Sequence, residues 1–130
     1  MPLKPEIRRV IFSTLKASLR KQCPPMVCLK NKSNTFEIIG NKPVPYGSTK
    51  RIVPGMYFAS AVARRDMVSF YFMPIYYNKK AYVDVAPTLL KSLKGKACFN
   101  FRKPEQIERK ELDALLRKGK KVWKKLGYMR

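Results

Sequence analysis

The sequence predicts an α+β fold: a mainly antiparallel sheet of about five strands, flanked by an N-terminal helix, a short middle helix and a long C-terminal helix. Apolar residues recur at three- and four-residue spacings near both ends of the chain. Through its middle they alternate singly, and turn formers separate the segments. With 130 residues, 45% of them hydrophobic, the chain is long enough for one core, so a single domain over residues 1–130 is expected.

The elements follow in chain order. From Pro5 to Lys21, residues Ile7, Val10, Ile11, Thr14, Leu15 and Ser18 share one helical face, while Arg8, Arg9, Lys16 and Arg20 take others. Pro5 suits the first turn, Glu6 complements the positive end of the dipole, and "CPP" at 23–25 stops the helix. "MVCLKNKSNTFEIIG" reads as a hairpin turning at Lys32, Ser33 and Asn34. "NKPVPYGSTKRIVPG" holds three prolines and two glycines, which suit an exposed loop with a short extended piece near Ile52.

In "MYFASAVARRDMVSFYFM", strict alternation on either side of Arg64, Arg65 and Asp66 predicts a second hairpin. Its second strand carries bulk on both faces, which places it centrally, with helices over one face and large side chains on the other. "DVAPTLLKSLKG" predicts a short helix with Pro87 in its first turn, Leu89, Leu90 and Leu93 inward, and Gly95 as its stop. "KACFNF" returns to strand periodicity, with Cys98 and Asn100 on one face. Pro104 then opens the longest helix, whose stripe is Ile107, Leu112, Leu115, Leu116, Val122, Trp123 and Leu126, and Gly127 ends it.

Charge narrows the function classes. Lys and Arg total 29 against 8 acids, a formal charge of +21, more than solubility requires. An anionic ligand or partner, nucleic acid included, is one reading; a solvated lysine surface is the other. Candidate anion contacts are Lys50 and Arg51 in "YGSTKR", which lacks the first glycine of a phosphate loop, and Lys118, Lys121, Lys124 and Lys125 on the last helix. Tyr76 and Tyr77 beside Lys79 and Lys80 add aromatics on which bases stack.

Histidine is absent, removing the commonest general base and metal ligand together. The cysteines, Cys23, Cys28 and Cys98, are odd in number and without repeated spacing, as for free thiols in a reducing compartment. They cannot build a closed four-ligand zinc site. The longest aromatic-apolar run, "VSFYFMPIYY", is about half a membrane span, and no apolar leader precedes the first helix, so a soluble cytoplasmic protein is expected. The apolar stripe of the basic last helix is needed by the core, which leaves little to insert into a membrane.

"VSFYFMPIYYN", "LLKSLKGKACFNF" and "LLRKGKKVWKKLGY" resemble the YdhG-like family, a domain of unknown function, over about Met56 to Tyr128. The resemblance implies a compact domain with an antiparallel sheet flanked by helices. One bacterial member is regarded as a frataxin-like iron chaperone, so the resemblance also implies an alternative in which iron is bound, with Glu105 and Glu108 as its carboxylates. The pattern departs there: of the eight acids only Glu105, Glu108, Glu111 and Asp113 cluster, at a helix start where charge favours them anyway. A third reading makes Cys98 the nucleophile of a thiol enzyme, with Lys94 and Lys96 near in sequence; a small apolar filler is the expected role of such a strand thiol. The leading expectation is a non-enzymatic binding domain for an anionic ligand.

Overall fold

In the computed structural model, which describes residues 1–130, helix α1 spans Pro5–Arg20 with proline in its first turn. Its buried stripe is Ile11, Phe12, Leu15, Ser18 and Leu19, rotated from the expected face. Phe12 and Leu19 turn inward because they bury more apolar surface than Thr14 and Val10, and Val10 is left half exposed.

Strands β1 (Val27–Asn31) and β2 (Thr35–Ile39) form the first hairpin. The segment read as a loop instead closes into a small two-stranded ribbon, β3 (Val44–Tyr46) and β4 (Arg51–Val53). Its prolines are tolerated because a two-stranded ribbon leaves each strand one unpaired edge. Strands β5 (Tyr57–Ala63) and β6 (Val68–Phe72) are the second hairpin. A single helical turn, α2 (Pro74–Tyr77), and a 3-10 turn at Lys79–Tyr82 follow, neither anticipated.

The short middle helix shrinks to one turn, α3 (Pro87–Leu90). Leu93 and Lys94 form β7, paired with Phe99 and Cys98 of β8 (Cys98–Phe101), and Gly95 belongs to the turn between them. The last helix does not open at Pro104: Pro104–Gln106 is a 3-10 turn, and α4 runs Arg109–Lys125 behind Glu108, whose carboxylate accepts from the Lys110 amide at 2.9 Å. Gln106 accepts the Arg102 and Lys103 amides at 2.7 and 2.9 Å, closing the proline turn on itself.

The main sheet therefore has six strands, all antiparallel, in the order β1-β2-β5-β6-β8-β7, with β6 in its interior as expected. On its inner face Phe36 pairs with Ala61, Ala61 with Phe70, and Phe70 with Phe99. Alanines on β5 leave room for α1, which lies over that strand and β6. Helix α4 approaches through Gly119, where an added Cβ would sit 2.6 Å from the Phe72 ring. The cost of a mid-helix glycine, about 1 kcal/mol, is offset by seating the helix directly on the aromatic layer.

One turn on, Trp123 is fully buried, edge-on to Phe58, Tyr77 and Tyr128 with centroids 5.7, 5.8 and 5.2 Å away. Gly127, at φ +85°, lets the Tyr128 amide reach Trp123 O and the Gly127 amide reach Lys124 O, at 2.9 and 3.1 Å. That C-terminal motif reverses the chain and folds Tyr128 onto Trp123, while Leu126 stays outside the stripe, largely exposed. A contiguous cluster of 28 buried residues joins the sheet to α1 and α4.

Candidate anion-binding surface

Three acids on the helical side, Glu108, Glu111 and Asp113, have structural tasks. The Glu111 carboxylate accepts the Thr88 and Leu89 amides at 2.8 and 3.1 Å, so it caps α3 rather than facing solvent beside Lys110. Glu108 caps α4, and Asp113 pairs with Lys21 at 3.5 Å. The one other ion pair is Lys30 with Glu37, 3.8 Å apart on the sheet. Two of 29 cationic side chains thus have an acid within 4 Å, and the rest are not neutralised by a partner.

Five of those unpaired cations converge on one groove. Arg117, Lys120, Lys121 and Lys124 of α4, together with Pro25, Met129 and Arg130, line a groove of about 380 Å³, and none of its 7 lining residues is an acid. Arg117, Lys121 and Lys124 follow the i, i+4, i+7 row of the helix, and Lys120 stands beside them. The opposite wall comes from the reversed C-terminal tail, held where the Arg130 amide donates to Asn41 Oδ1 at 2.7 Å. None of the four α4 cations donates a hydrogen bond or makes an ion pair within the protein, so their donors are open to a ligand.

The structure separates the remaining candidates. Lys118 is not part of the groove: its ammonium donates to Ala81 O at 2.6 Å and lies 5.5 Å from the Tyr82 ring, tying the 3-10 turn to α4. Lys125 is exposed outside the groove. Lys50, at φ +57°, and Arg51 sit at the turn and start of the β3–β4 ribbon, exposed and not lining the groove, and Lys79 and Lys80 are exposed in the 3-10 turn. Arg117, Lys120 and Arg130 are the groove cations that sequence reasoning missed; the only signal for the first two was their membership of the basic run 117–125.

Tyr76 and Tyr77 lie on α2, next to α4, with rings 5.9 Å apart and nearly perpendicular. Burial against its neighbours, then a hydrogen bond with Tyr128, pushes the Tyr77 hydroxyl up. Tyr82, grouped with them in sequence, is buried; its hydroxyl has no partner and is pushed up to about 12 by burial alone.

The other face of the sheet has a different chemistry. Glu37, Ser60, Tyr71 and Cys98 form one cross-strand row, and Thr35, Val62, Ser69 and Asn100 the next. Arg64 donates to Ser69 Oγ at 3.1 Å and to the Tyr71 hydroxyl, and Ser69 Oγ donates to Asn100 Oδ1 at 2.9 Å. Tyr57 and Ser60 share a hydrogen bond, and burial raises the Tyr57 hydroxyl well above the usual phenol range.

Cys98 lies on this open face, half-buried, with its thiol 3.4 Å from Asn100 Oδ1; it is not a filler of the core. Its cross-strand neighbours are Tyr71 and Lys94, its hydrogen-bond partner is the Asn100 amide, and no carboxylate hydrogen-bonds it. Burial first and Cys28 second push the Cys23 thiol up, so its surroundings do not favour a thiolate. Glu105 is exposed on the 3-10 turn and the Glu108 carboxylate is engaged as a cap; no three His, Cys, Asp or Glu side chains gather where they could hold a metal ion. No helix is long and apolar enough to cross a membrane. Compared with family models, curated proteins and solved structures, the chain matches none.

Proposed function

We propose that this protein is a non-enzymatic binding module for a polyanion, which it holds along α4 in the groove of Arg117, Lys120, Lys121, Lys124 and Arg130. The observation that carries this reading is the lining itself: five cations, no acid, and no internal partner for the side chains of the helix. Cations so placed gain by releasing the counterions of a densely charged chain, whereas a lone small anion offers only one or two charges. Membership of the YdhG-like family belongs to the same proposal and adds the α+β frame, not the ligand.

Heparin, a sulfated polyanion without bases, tests it by fluorescence anisotropy at about 10 mM salt, where screening extends only beyond about 30 Å. The wild-type chain binds, and Lys121→Glu/Lys124→Glu weakens binding by about a hundredfold with an unchanged melting temperature. Absence of wild-type binding at that salt overturns the reading, and equal binding by the variant overturns the groove as its seat.

A further inference from the structure

The groove does not stand alone. Tyr76 and Tyr77 are 55% and 51% exposed and in ring contact, 5.9 Å between centroids. Tyr77 ties this pair to the core: its ring abuts Tyr76 and Trp123, with centroids 5.9 and 5.8 Å away. Large rings are costly to leave in water, and two of them side by side offer apolar area to a ligand.

The ledge and the groove share an edge. Tyr128 leans on Trp123 and Tyr77 on the ledge side, while Met129 and Arg130, the next two residues, line the groove. Cations also border the rings: the Lys96 ammonium stands 5.3 Å from the Tyr76 centroid. Because Tyr76 and Tyr77 meet edge to face, their contact takes up at most one face of one ring and leaves the other faces of the pair unstacked by it.

Resting on the polyanion reading, we infer that the ligand is a single-stranded nucleic acid whose backbone lies in the α4 groove and whose bases stack on the Tyr76–Tyr77 ledge. A duplex keeps its bases stacked inside and offers the rings nothing; a sulfated polysaccharide has no bases to offer. Stacking accepts any base, so little sequence preference is expected.

Wild-type protein is titrated with a short oligothymidylate and with an abasic deoxyribose-phosphate oligomer of the same length, which carries the same charge. The oligothymidylate binds at least about tenfold more tightly, the scale of one stacked base. Tyr76→Ala erases most of that difference, Tyr76→Phe retains it, and heparin affinity is the same for all three proteins. Equal affinity for the two oligomers overturns the inference while heparin binding leaves the polyanion reading standing. Failure to bind heparin or either oligomer removes both. If Tyr76→Ala weakens heparin and oligothymidylate equally, the ring acts on the fold or the charge and the inference is wrong.

Discussion

The helical layer and the open face of the sheet both carry cations, and they differ in how many of those cations an internal acceptor holds. On the open face, Lys30 is held by Glu37, and Arg64 is spent on Ser69 and the Tyr71 hydroxyl. On the helical side, Glu111 and Glu108 serve as caps and Asp113 takes Lys21, so Arg117, Lys120, Lys121 and Lys124 keep their charge. Net charge alone does not make a binding surface; the local supply of acceptors decides which cations remain available. The same distinction explains why Lys118, in the middle of the basic run, is a strut and its neighbours are not.

The largest effect that could break this contrast comes from matched charge reversals. Lys121→Glu/Lys124→Glu lowers heparin affinity about a hundredfold at low salt, and Lys30→Glu/Arg64→Glu, an equal change in net charge, lowers it less than about threefold. Comparable losses in the two titrations mean that binding follows overall charge and no surface is special.

Next is Glu111→Ala, which strips two backbone donors of a charged acceptor and costs about 2 kcal/mol in urea denaturation. Heparin affinity does not fall with it, because the lost carboxylate served the fold. A stability unchanged by this substitution means the cap is not needed, and the acid was free to screen α4 after all.

A smaller effect sharpens the account of the helical side. The Tyr82 hydroxyl, buried and unpartnered, has its ionisation raised from the usual value of 10 to about 12 in the folded state, so the phenol's contribution is intact below pH 10. That stability drains away as pH climbs from 10 through 12, because the unfolded chain loses the proton first. Tyr82→Phe gains up to about 1 kcal/mol at neutral pH and loses less between pH 10 and 12 than the wild type in parallel denaturation curves. The smallest effect is expected of Cys98→Ala, below about 1 kcal/mol in stability and none on heparin binding, since the thiol sits in the self-contained network of the open face.

Much of the frame was legible in the chain. Strict alternation fixed β5 and β6 because each second residue must face one side of a strand, and the same rule put Cys98 and Asn100 on a common face. Leu93 was less readable: its spacing from Leu89 and Leu90 fits a helix, and only pairing with the distant Phe99 made it a strand. Gly119 gave no sequence signal, since its value lies in the approach of Phe72 across the core.

The groove was half visible. Lys121 and Lys124 stand out on any helical projection, but the site also needs Arg130 and Met129, brought back by the turn at Gly127, and Pro25 from the far side of α1. Such convergence is tertiary and leaves no periodic trace. Glu111 was likewise read as favourable charge at a helix start, when the donors it serves lie 22 and 23 residues away in sequence.

Chemical-shift mapping of the backbone amides during titration with heparin tests the central contrast most directly. The account predicts that shifts concentrate on residues 117–124 and on Met129 and Arg130, with Lys30, Arg64, Ser69 and Tyr71 unmoved. Shifts led by Arg64 and its strand neighbours, with α4 silent, contradict it.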